Sequence, residues 1–83
     1  MANHGAARGL VRDENLVALG AAVRERRFQV GLSQEALASD CGLHPTNLGK
    51  LERGERNSSA QTLIRVAHAL GCRVSDLFAS AGL

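Results

Sequence analysis

Two pairs of side chains stand at spacings a metal ion can bridge: Cys41 with His44, three apart, and His68 with Cys72, four apart. Neither pair belongs to a C-x-x-C. Cys41 also falls in an apolar position between Leu37 and Leu43, where a thiol serves as a small core residue. The acids Asp13, Glu14, Glu25, Glu35, Asp40, Glu52, Glu55 and Asp76 form no recognisable catalytic motif, and there is neither a glycine-rich phosphate loop nor a serine nucleophile elbow. Catalysis, a metal and a cofactor are therefore not expected. What remains is a polar run, Thr46, Asn47 and Lys50 after Pro45 within one short segment, which is either a solvated face or a set of side chains suited to the edges of bases.

The composition narrows the classes further. With 83 residues the chain makes one small domain, too small for a Rossmann or barrel enzyme core. Phe28 and Phe78 are the only aromatics, which argues against modules that stack bases on aromatic platforms. One proline and no strand-length β-branched run argue against a sandwich or barrel. The net charge of +2 is too mild to diagnose a polyanion partner. No apolar stretch approaches the roughly 20 residues of a membrane helix, and the N-terminus lacks a secretory h-region, so a cytoplasmic protein with no membrane partner is expected. Cys41 and Cys72 are far apart in a compartment expected to be reducing, and no disulfide is expected. A core of this size is marginal alone, so tight helix packing or dimerisation is expected.

Helix signals place these residues. Residues 1–12 carry no lasting periodicity and are expected to form a flexible arm; residues 13–83 are expected to form the domain. Asp13 caps a first helix whose inward face reads Leu16, Leu19, Gly20, Val23, Arg27 and Val30, and Gly31 stops it. Ser33 caps a second helix with Leu37, Ala38 and Cys41 inward, ended by Gly42. Pro45 opens a third, with Leu48 and Leu51 on one side and Gly54 at its end. Ser59 caps a fourth with Leu63, Val66, Ala67 and Leu70 on one stripe, closed by Gly71; Ser75 starts a short fifth holding Leu77 and Phe78. The fold class is all-α. Within it, Ala38 is small enough to let the third helix cross the second, and Gly42 tolerates the positive φ of a tight turn. That is helix-turn-helix spacing.

The stretch Leu32 to Ala38, Gly42-Leu43, Leu51-Glu52-Arg53-Gly54, Arg56-Asn57, Thr62-Leu63 and Ala67-His68-Ala69-Leu70 before Leu77-Phe78 resembles the Cro/CI-type (XRE) helix-turn-helix family over about residues 16–78. The resemblance implies a five-helix lambda-repressor-like domain. It also implies a homodimer on palindromic double-stranded DNA, with the third helices entering the major groove about 34 Å apart.

With Leu48 and Leu51 inward, Thr46, Gly49, Lys50 and Arg53 point away from the core, and Asn47 and Glu52 lie on the flanks. Lys50 can donate to guanine, Asn47 can pair with adenine, and the Thr46 methyl can meet thymine, whereas Pro45 offers apolar contact only. Gly49 can permit close approach to DNA. Phosphate contacts are expected from Ser33 and Gln34 at one helix N-terminus, from His44, which can also cap its helix, and from Arg53, Arg56, Asn57 and Ser58. Arg27 on an apolar face requires a carboxylate partner, and Glu52 is the candidate; relatives resembling this chain often carry such a pair.

The resemblance places the dimer interface at Val74, Leu77 and Phe78, with Leu83 beyond them, and Leu77 and Phe78 are expected to complete the monomer core as well. The size and layout look like restriction–modification controller proteins or compact phage-type repressors, nucleoid-associated and without a small-molecule effector. An antitoxin that neutralises a partner toxin while binding DNA is the alternative.

Overall fold

In the computed structural model, which describes residues 13–83, five α-helices follow one another: α1 (Glu14–Gln29), α2 (Gln34–Cys41), α3 (Pro45–Glu52), α4 (Ala60–Ala69) and α5 (Val74–Ser80). The arm expected over residues 1–12 lies outside the described residues. Most helices begin where a side chain accepts a backbone N–H that has no intrahelical partner. Asp13 Oδ1 accepts from Asn15 and Leu16 at 2.9 and 3.2 Å, Ser33 Oγ from Ala36 at 3.0 Å, and Ser59 Oγ from Thr62 at 3.1 Å. The fifth helix begins one residue before the expected Ser75. Asp76 Oδ2 accepts the Arg73 N–H at 2.9 Å, which draws Val74 into the first turn.

The turn between α2 and α3 follows the expected chemistry. Gly42 adopts φ 73°, and the Leu43 N–H donates back to the Ala38 carbonyl at 2.8 Å, closing the end of α2. Ala38 has no exposed surface, so α2 and α3 meet across a methyl group. The core is aliphatic: Val23, Leu37, Leu48, Val66, Leu70 and Leu77 are its largest fully buried side chains. Val30, expected on the inward face of α1, is exposed instead, because it lies at the C-cap, past the last turn that faces the core. Leu77, expected at a dimer interface, is 2% exposed and belongs to the core, while Val74 and Phe78 are half-buried against it.

The seat of α3 depends on the first helix. Gly20 lies against the end of α3 so closely that a Cβ there would come within 2.5 Å of the Glu52 carbonyl oxygen, and closer still to that of Leu51. Gly54, at φ 74°, is pressed in turn against the α1 backbone, where a Cβ would stand 2.5 Å from Val17 Cα. Arg26 closes the far end: its Nε and Nη2 reach the Leu70 and Gly71 carbonyls at 3.5 and 3.4 Å, at the C-terminus of α4 where a cation is favoured.

Two predictions follow from this packing. Glycine to alanine in a helix interior ordinarily stabilises by about 1 kcal/mol. Gly20→Ala instead should destabilise by about 1–3 kcal/mol in urea unfolding, because a backbone carbonyl must move. Burial pushes both thiols up, so neither Cys41 nor Cys72 ionises readily. Iodoacetamide at mildly alkaline pH should label half-buried Cys72 first, and buried Cys41 only as the domain opens.

Candidate nucleic-acid interface

The candidate site is built on α3, whose back is held by Leu48 and Leu51 at 0% and 4% exposure. With those side chains fixed inward, Pro45, Thr46 and Lys50 are exposed and Asn47 is half-buried. The helix starts at His44, whose Nδ1 accepts the Thr46 N–H at 3.1 Å. An acceptor at Nδ1 places the ring proton on Nε2, so His44 caps the helix and still offers an N–H donor. Proline at the first position needs no N–H partner.

Gly49 departs from expectation. It is buried rather than bare towards solvent, because two side chains lie over it: a Cβ there would stand 3.2 Å from an Arg53 terminal nitrogen and 3.8 Å from Gln34 Oε1. The missing side chain makes room for Arg53 and Gln34.

Beneath this face lies a polar network. Arg27 Nε donates to Glu52 Oε2 at 2.7 Å and Nη2 to Oε1 at 3.0 Å, with both side chains under 10% exposed, at 7% and 2%. The remaining Nη1 donates to the Leu32 carbonyl at 3.0 Å, just before α2. Gln34 Nε2 donates to Glu52 Oε1 at 2.9 Å from the first turn of α2. The α1 and α2 helices are thus tied to one carboxylate of α3, with the Leu32 carbonyl joined through Arg27. The hydrogen bond to Glu52 raises the Arg27 guanidinium above its ordinary range despite the opposing pull of desolvation. The expected Arg27–Glu52 pair is present in the structure.

The phosphate candidates divide. Arg53 is exposed and ion-paired with Glu55 at 3.1 Å, and Asn57 is exposed. Ser33 spends its oxygen as a cap but keeps its O–H. The Gln34 side chain braces Glu52, and the backbone N–H groups of the first turn of α2, the donors expected there, are what that turn offers an anion. Ser58 is placed differently from expectation, since its Oγ is buried without a hydrogen-bond partner. Arg56 is half-buried with its Nε enclosed in the same way, so its stem packs on the domain instead of standing free. Sequence reasoning passed over Arg24 and Phe28, where the guanidinium carbon of Arg24 lies 5.0 Å from the ring centroid and that of Arg27 4.7 Å. The spacing of four between Arg24 and Phe28 was the available signal. Among the described residues no group of three or more His, Cys, Asp or Glu is placed to hold a metal ion, and no helix is long and apolar enough to cross a membrane.

The family model described as Helix-turn-helix (HTH_3) matches residues 23–77, which contain α2, α3, the buried pair and the start of α5. The chain belongs to this family of Cro/CI-type DNA-binding transcription regulators. The helix-turn-helix chain is 48% identical over 61 residues to Control protein C.SmaI of Serratia marcescens, covering 74% of this chain and 73% of that one. Its fold is similar to the restriction-modification controller protein C.AhdI from Aeromonas hydrophila, with TM-score 0.77, 40% identity, and coverage of 78% of this chain and 98% of that chain. It is also similar to the clp gene regulator ClgR from Corynebacterium glutamicum, with TM-score 0.82, 36% identity, and coverage of 87% and 77%.

The buried network sets the prediction for this site. Glu52→Gln leaves Arg27 buried without its counter-charge and should cost about 3–5 kcal/mol in urea unfolding. The double replacement Arg27→Met with Glu52→Leu should cost less than either single change, because no orphaned charge remains.

Proposed function

We propose that this regulator is a controller-type protein that binds a palindromic operator as a homodimer, with α3 of each protomer in the major groove. One observation carries the reading: the polar face of α3 (Thr46, Asn47 and Lys50) stands outward on a helix whose back is locked by core leucines and by the Arg27–Glu52 pair. A reading helix must be held rigidly, because each good contact to a base edge depends on directed hydrogen bonds. Lys50 donates to guanine O6 or N7, Asn47 pairs with adenine, and Thr46 and Pro45 supply apolar contact to a thymine methyl. Arg53, Asn57, the His44 Nε2–H, the Ser33 hydroxyl and Arg56 position the protein on phosphates without reading sequence. The likeness to control proteins supports the controller assignment over other regulators of the family.

The dimer reading rests on apolar surface that one copy leaves uncovered. Ile64 on α4 and Leu83 after α5 are 55% and 51% exposed, and Val74 and Phe78 are half-covered. Leu77 supports this surface from within the core. A second copy packed there would bury it and set two α3 helices about 34 Å apart, one turn of DNA.

Selection of bound sequences from random DNA tests the whole reading and should return a palindrome. On the selected site, Lys50→Ala should relax preference at one base position in each half-site, by about 1–3 kcal/mol. Phe78→Asp should shift the protein to monomer in sedimentation and weaken operator binding together. A selection that returns no motif, or a wild-type protein that stays monomeric on a single half-site, contradicts this reading.

A further inference from the structure

A groove runs between α1 and the end of α3, walled by Val17, Ala21 and Arg24 on one side and by Gln34, Arg53 and Glu55 on the other. We infer that this groove is a second DNA-backbone contact, in which Arg24 binds a phosphodiester group and Glu55 occupies Arg53 until DNA displaces it. The inference rests on the operator-binding reading above and adds a contact outside the helix-turn-helix.

Val17, Ala21, Arg24 and Phe28 are spaced i, i+4, i+7 and i+11, so they form one stripe of α1 distinct from its core-facing stripe. Val17 and Ala21 are short and leave the groove open, and Arg24 lines it. The Arg24 guanidinium carbon lies over the Phe28 ring, 5.0 Å from the centroid. That ring is 54% exposed and carries the buried Arg27 on the same side chain's π system, at 4.7 Å. An exposed phenylalanine otherwise costs solvation without return; here it is a platform. A cation–π contact with a ring uses no N–H acceptor, so the forked N–H donors of Arg24 can still take a phosphate bidentately.

Across the groove, Arg53 is drawn over Gly49 and meets Glu55 at 3.1 Å. Gln34 and Arg53 both border Gly49, so the groove is continuous with the face of α3. Glu52 in its floor is neutralised by Arg27, which leaves Glu55 as the carboxylate on the rim. An exposed Arg–Glu pair is weak, and a phosphodiester offers Arg53 the same bidentate acceptor within a far stronger field. Glu55 is therefore a built-in competitor that lowers affinity for all DNA alike.

Fluorescence anisotropy of the full chain on the selected duplex and on a random duplex, across a salt series, tests this. Arg24→Ala should weaken both duplexes alike, about eightfold at 0.1 M salt, and reduce the slope of log affinity against log salt by about 0.9, the contribution of one phosphate. Arg24→Lys should keep the slope, and Phe28→Leu should give a smaller loss of the same kind. Ala21→Glu keeps Arg24 and should also weaken both duplexes, by setting a carboxylate in the groove. Glu55→Gln should tighten both, up to about fivefold at low salt. Thermal melts followed by circular dichroism verify that each variant is folded. Unchanged affinity and slope in folded Arg24→Ala would overturn the inference while wild-type binding still upholds the operator reading. A loss confined to the selected duplex would overturn it too, because Arg24 would then be reading bases. Wild-type protein that binds neither duplex would overturn the operator reading, and this inference with it.

Discussion

The Arg27–Glu52 ion pair is the constraint on which the remaining geometry depends. Two charges withdrawn from water cost several kcal/mol each in desolvation, and their attraction repays this only with near-ideal geometry and full hydrogen bonding. Both conditions are met: the contact is bidentate, Arg27 Nη1 reaches the Leu32 carbonyl, and Gln34 supplies a further donor to Glu52. The return on such a pair is specificity of arrangement more than stability. Leucines at the back of α3 would tolerate some rotation or sliding. A carboxylate that must meet a fork of donors from α1 and an amide from α2 tolerates very little.

Close backbone packing reinforces the same register. Gly20 lets α1 approach the last carbonyls of α3, and Gly54 lets the chain leaving α3 press back on Val17. The end of α3 is therefore held from two sides, by charge and by contact. Its beginning is held by His44, a side chain that caps the helix and keeps a donor facing outward. Between these anchors the exposed residues of α3 have no structural duty, which is why their chemistry is available for recognition.

Charge placement explains what a total of +2 does not. Glu52 is consumed inside, Asp13 and Asp76 serve helix starts, and Arg26 serves the end of α4. Lys50 and Arg24 are left on or beside the face of α3, and Arg53 is held there in an exposed pair with Glu55. A chain of small net charge can present basic side chains on one face when some of its acids are spent on capping and internal pairing.

Much of this was legible from residue order, because caps, glycine stops and apolar periodicity are local in sequence. Asp13, Ser33, Pro45 and Ser59 mark helix starts within a residue, and the stripe Leu63, Val66, Ala67, Leu70 identifies the buried side of α4. Arg27 on an apolar stripe demanded a carboxylate, and so its pairing with Glu52 was foreseeable across 25 positions. Other features depend on where long side chains go once helices are packed. Gln34 turns inward to Glu52, Arg53 folds back over Gly49, Ser58 faces the interior, and Arg24 lies on Phe28. Residue order is enough to specify five helices, their inner faces and the identity of the residues on α3. Which polar side chains stay available is a consequence of packing, because hydrogen-bond partners are chosen by distance in the folded chain and not by spacing along it.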